Sequence, residues 1–102
     1  MNELDQATLR DAVTTWGTNA QLVMVLEEAA ELSKEVAKTL RTGKVTANLA
    51  DEIADVEIML AQLSCIAEQL GDATLASRVA EQKEFKLSRV RSRLADWKRD
   101  HQ

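Results

Sequence analysis

Two pairs of carboxylates give this chain of 102 residues its clearest capacity for chemistry: Glu28 with Glu31, and Glu52 with Asp55. Residues three apart on an α-helix share one face, so each pair presents its two acids together. Glu35 continues the first face by one more turn. Each pair also borders an apolar row at helical spacing. Beside the first run Leu22, Val25, Leu26, Ala29, Leu32, Val36 and Leu40; beside the second run Leu49, Ile53, Val56, Leu60, Leu63 and Ala67. If both rows enter one core, the two acidic edges face each other. Carboxylates brought together resist ionising together, and a cation relieves that cost. Mg²⁺ fits best, because it is hard, takes oxygen ligands and keeps waters for substrate phosphates. The alternative is that both pairs lie on solvated helix faces, balanced by lysines such as Lys34 and Lys38.

Other metal and thiol chemistry lacks its residues. The only histidine is His101 near the C-terminus, and Cys65 is the only cysteine. A Glu-x-x-His di-iron site, a zinc site of Cys and His, and an intrachain disulfide are all excluded. With no histidine to activate it, Cys65 reads as a small residue at the core edge. The net charge of −4 divides unevenly: residues 1–82 carry 6 basic and 14 acidic side chains, residues 83–102 carry 7 and 3. An acidic body argues against a nucleic-acid polymer as partner.

The elements that must position these groups are helices. Proline is absent and aromatics are only Trp16, Phe85 and Trp97, while Ala, Leu and Glu are the commonest residues, a composition that favours helix over strand. Gly17, Gly43 and Gly71 divide the chain into four pieces. The spacing predicts helices from about Leu4 to Trp16, from about Ala20 to Thr42, from Thr46 or Asn48 to about Leu70, and from Asp72 or Thr74 to about Lys98. Thr18 or Asn19 is expected to cap the second. The fourth has its own apolar stripe, Val79, Leu87, Val90, Leu94 and Trp97, with Lys83 inside it. One all-α domain spanning 1–102 follows: an antiparallel bundle of one short and three long helices, completed by oligomerisation because so short a chain buries little surface alone. No apolar segment is long enough to span a membrane and no signal peptide opens the chain, so a cytoplasmic protein is expected.

The acidic motif carries a resemblance. EEAAE at Glu27 to Glu31, followed by DEIAD at Asp51 to Asp55, resembles the EExxE…ExxD signature of MazG-like nucleoside triphosphate pyrophosphohydrolases, members of the all-α NTP pyrophosphatase superfamily. The likeness extends from about Trp16 to Leu94. It implies Mg²⁺-dependent cleavage between the α- and β-phosphates of a (deoxy)nucleoside triphosphate, with Mn²⁺ as a substitute metal, and a homodimer or homotetramer. It also implies Glu28, Glu31, Glu52 and Asp55 as metal ligands, Glu28 or Glu31 as the acceptor of the water proton, and Glu27 as a supporting residue. Lys83 and Lys86 would hold the outer phosphates with Arg89 assisting, unless Lys83 only snorkels along its helix. Trp16 could stack on a base or pack the first helix, and Asn19 and Gln21 could read base edges. The reading from another class is a non-catalytic helical interaction module.

Overall fold

The computed structural model describes all 102 residues and contains helices and turns but no strand. The elements are α1 (Glu3–Trp16), α2 (Thr18–Thr42), α3 (Leu49–Gln69) and α4 (Leu75–Asp100). The chain divides into two compact units, Met1–Asp72 and Ala73–Gln102. In the first, α2 and α3 form the main contact and α1 packs on both. The second consists of α4, along which no residue is buried. None of the four helices is long and apolar enough to cross a membrane.

Local chemistry sets the helix ends. Asn2 opens α1 with a reciprocal capping box: its side chain accepts from the Asp5 backbone N–H at 2.8 Å, and its own N–H donates to the Asp5 carboxylate at 3.1 Å. Gly17 then closes α1 and opens α2 in a single residue at φ 92°, a conformation that a side chain disfavours. Because glycine makes the turn unaided, α2 starts at Thr18, and neither Thr18 nor Asn19 is the cap. Gly43 ends α2 in the left-handed region, its N–H donating to the Thr39 carbonyl at 2.9 Å. At the start of α3 the cap position is Asn48, which makes no side-chain cap bond. Thr46 is engaged elsewhere, its hydroxyl donating to Glu35 at 2.8 Å.

The core is small. Val13, Cys65 and Ile66 are the buried hydrophobic residues, with Leu9, Leu22 and Leu63 packed against them. Much of the row expected to fill the core on α2 lies open instead, with Leu26 70%, Val36 52% and Leu40 85% exposed. On α3, Ile53 and Leu60 are open too. On α4, Val79, Leu87, Val90, Leu94 and Trp97 are all exposed. The inward side of the α2–α3 pair is a polar row, with Gln21, Glu35 and Gln62 fully buried and Glu28, Glu52 and Asp55 half-buried. The expected rows are periodic, but only part of each turns inward: Leu22, Val25, Leu32, Val56 and Leu63 are half-buried, while Leu26, Val36, Leu40, Ile53 and Leu60 lie open.

Candidate functional site

The inward side is built on a seven-residue repeat. Seven steps of about 100° return to within about 20° of the starting direction. Gln21, Glu28 and Glu35 therefore form one line on α2, and Gln62 and Asp55 the facing line on α3. The helices run antiparallel, so the lines meet in order. At one end Gln62 Nε2 donates to Gln21 Oε1 at 2.6 Å. In the middle Glu28 meets Asp55. At the other end Glu35 receives the Thr46 hydroxyl and, at 3.1 Å, the ammonium of Lys38.

The middle is the candidate site. One carboxylate oxygen from each of Glu28, Glu52 and Asp55 comes within 4.8 Å of the others. Burial raises the Glu28 carboxyl above its ordinary pKa, the charge of Asp55 and a hydrogen bond with it raise it further, and Glu52 and Glu31 add to the effect. Glu52 is also raised, by burial first and then by Asp51, Asp55, Glu31 and Glu35. Its Oε2 is completely buried and has no hydrogen-bond partner. A buried carboxylate oxygen without a donor is costly, and a hard cation is the kind of group that would complete it. Glu28 on α2 and Glu52 and Asp55 on α3 thus present a compact group of carboxylates that could hold a cation.

Glu35 shows the contrast. It is as deep in the seam as any acid, yet its pKa is lowered, by the Thr46 hydroxyl first and by Lys38 second. Its charge is already balanced, so it needs no ion.

Glu28, Glu52 and Asp55 are thus brought together as the sequence reading expects. Glu31 stands one turn from Glu28, exposed, and close enough to act on both Glu28 and Glu52 through its charge. Glu27 is exposed. Trp16 ends α1 and is 67% exposed, and Asn19 is exposed in the first turn of α2. Gln21 is sequestered with Gln62 and offers no open edge of the kind base reading needs. Lys83, Lys86 and Arg89 are exposed on α4. There Lys83 lines a shallow groove with Ala80, Glu84, Leu87 and Arg91, and the Arg89 guanidinium lies 5.8 Å from the centre of the Phe85 ring.

Gln62 and the Glu35–Thr46 bond escaped the sequence reading. For Gln62 the signal was its seven-residue spacing from Asp55, which a search for apolar stripes passes over; for Thr46, which precedes α3, no such spacing exists. Compared with protein-family models, curated proteins and solved structures, the chain matches none.

Proposed function

We propose that this protein is a MazG-like pyrophosphohydrolase that splits (deoxy)nucleoside triphosphates into the monophosphate and pyrophosphate with Mg²⁺, in the cytoplasm and as a homo-oligomer. The observation that carries the reading is the Glu28–Glu52–Asp55 cluster, three carboxylate oxygens within 4.8 Å with one buried oxygen lacking any donor. The order of acids along the chain, EEAAE then DEIAD, supports it.

In this reading Glu28, Glu52 and Asp55 hold the metal, with Glu31 completing the set or standing just outside it. Bound Mg²⁺, or Mn²⁺ in its place, supplies a Lewis acid that offsets phosphate charge and favours attack by water. The water oxygen bonds to the α-phosphorus, and the bridging oxygen leaves with pyrophosphate. A proton from that water must go to a base within reach, and Glu31 suits that role because it is exposed beside the cluster. Glu28 is the other candidate. Burial first, and then the charge of Asp55, raise its pKa above that of an ordinary carboxylate. The resemblance assigns Lys83 and Lys86, with Arg89, to the β- and γ-phosphates, which their charge would suit. Trp16 and Asn19 stand available for the nucleoside.

A screen of the common NTPs and dNTPs plus dUTP, with and without Mg²⁺, tests the reading. The expected products are a monophosphate and pyrophosphate, released only with metal. Release of orthophosphate, or no turnover of any nucleotide, overturns it. The open apolar rows favour a second reading, a non-catalytic helical interaction module. Such a module would bind no Mg²⁺ at millimolar concentration.

A further inference from the structure

The contacts along the α2–α3 seam recur every seven residues, and the last of them is unlike the others. Gln21 meets Gln62 and Glu28 meets Asp55, helix to helix. Seven residues after Glu28 stands Glu35, and seven before Asp55 stands Asn48, the residue that precedes α3. The third rung therefore falls where α3 has not yet begun, and the connection supplies it. Thr46 donates its hydroxyl to Glu35 Oε2 at 2.8 Å. Glu35 Oε1 receives the Lys38 ammonium at 3.1 Å, from one turn along the same helix. Glu35 is 5% exposed, so its two oxygens depend on these two donors.

This rung holds the start of α3. The first turn of a helix lacks carbonyl partners for its N–H groups and is prone to fray. Asn48, at the cap position, gives α3 no side-chain bond. The chain enters the helix through Thr46 instead, whose carbonyl accepts the Leu49 N–H at 3.2 Å while its hydroxyl is fastened to α2. Glu52 lies in that first turn, its N–H donating to the Asn48 carbonyl at 3.0 Å. It is also the clustered acid whose Oε2 is buried without a donor. Glu28 stands in the middle of α2 and Asp55 nearly one turn deeper in α3. Of the three carboxylates, Glu52 thus sits on the backbone that most needs an outside tie.

We propose that Thr46, bonded to Glu35, is a positioning residue of the carboxylate cluster: the tie fixes the first turn of α3 and so sets where Glu52 meets Glu28 and Asp55. The inference rests on the reading of that cluster as a metal centre. Neither Thr46 nor Glu35 is a ligand. They act through the backbone, as groups behind metal ligands do when they hold those ligands in a fixed orientation. Acids that repel one another are thereby held in place before a cation arrives, by a further acid whose own charge is already balanced.

Thr46→Val removes the hydroxyl, keeps the shape and leaves the net charge unchanged, so its effect on metal affinity reports geometry. Mn²⁺ is the probe, followed by the paramagnetic resonance signal of the free ion. Thr46→Val should bind it about 10- to 100-fold more weakly, the loss typical of removing a group that supports a metal ligand. Without metal, the Glu52 amide should exchange with solvent about tenfold faster, while amides near Gln62 keep their protection. Thr46→Ser should restore both. Lys38→Met removes the other donor of Glu35 and spares the tie. It should bind Mn²⁺ at least as tightly as the wild type, since a positive charge has left the same seam. Should circular dichroism show Thr46→Val unfolded, Thr46→Ala takes its place. Unchanged affinity in Thr46→Val overturns the inference alone, and faster exchange beside it would show that the tie only holds the fold. Equal weakening in Lys38→Met overturns it too, because the charge balance of Glu35 would then be the cause. A wild type that binds no Mn²⁺ overturns the metal reading, and the inference with it.

Discussion

Glu52 Oε2 and Glu35 are both buried acidic groups of one seam, yet their energetics have opposite signs. Glu35 has two donors and a lowered pKa; Glu52 has neighbouring acids and a raised one. Glu52→Gln should therefore raise the melting temperature of the metal-free protein or leave it level, because a charge that nothing balances is removed. The same change should abolish stabilisation by Mg²⁺, measured as the shift of the melting temperature on adding millimolar metal. A clear loss of metal-free stability would show that the carboxylate has a structural role. Glu31→Gln and Asp55→Asn should likewise abolish Mg²⁺-dependent turnover while keeping the helical signal. The signs also set a pH profile. Glu28 and Glu52 bind protons more tightly folded than unfolded, so the metal-free protein should gain stability as pH falls from neutral towards the ordinary carboxylate value of 4.5. Glu35 binds its proton less tightly when folded, and its contribution is lost only as pH falls below 4.5. Melting temperature against pH should therefore pass through a maximum on the acid side of neutrality. Saturating Mg²⁺ should flatten the rise, since bound metal keeps the carboxylates ionised. A metal-free profile that falls steadily from pH 7 to pH 5 would contradict this.

At the scale of elements, the Gln21–Gln62 bond fixes how α2 and α3 meet. Both amides are almost completely buried, 4% and 1% exposed, and they lie two turns from the Glu28–Asp55 pair. A one-residue slip of either helix would break both contacts at once, so the bond selects the register that assembles the carboxylates. Gln62→Ala leaves the Gln21 amide buried without its donor and should cost about 1–3 kcal/mol in chemical denaturation. Replacing both by leucine should restore most of that stability, because neither polar group is then left unpaired. If the double variant is no better than the single one, the pair is not acting as a unit. These helices were legible from composition, from the glycines that end them and from the spacing of Glu28, Glu31, Glu52 and Asp55. The direction in which α2 and α3 face was legible only in part. Apolar periodicity locates the side that leaves water, and in a chain whose apolar side is partly open that is only partly the side facing the neighbouring helix. The polar seam pairs by hydrogen bonds and carboxylate chemistry, for which a hydrophobic stripe is no guide. The caps at Thr18, Asn19 and Thr46 misled for a simpler reason: Gly17 turns the chain without help, and Glu35 competes for the Thr46 hydroxyl.

On the scale of the whole molecule, charge is divided between the two compact units. Residues 1–72 hold 13 acids and 5 bases; residues 73–102 hold 4 acids and 8 bases. If the carboxylates hold a metal and a nucleoside triphosphate, as proposed, the outer phosphates still have to be balanced, and the one run of cations is KEFKLSRVRSRL on α4. Lys83 is the distinctive residue in that run. It interrupts the apolar line of Val79, Leu87, Val90 and Leu94, where a hydrophobic residue would otherwise continue. Its aliphatic stem can lie along that line while the ammonium stays in water. If the ammonium holds a leaving pyrophosphate, its contact strengthens as charge develops on the bridging oxygen. Lys83→Ala should then lower kcat/KM by about 10- to 1000-fold, roughly 1.4 to 4 kcal/mol of transition-state stabilisation. Mg²⁺ binding without nucleotide should stay unchanged, because the lysine is not a ligand. If Lys83 only snorkels, the same change should leave kcat/KM within about twofold, as for an ordinary surface substitution. Steady-state kinetics of Lys83→Ala and Lys86→Ala decide between these outcomes, and unchanged kcat/KM in both variants would remove α4 from the reaction.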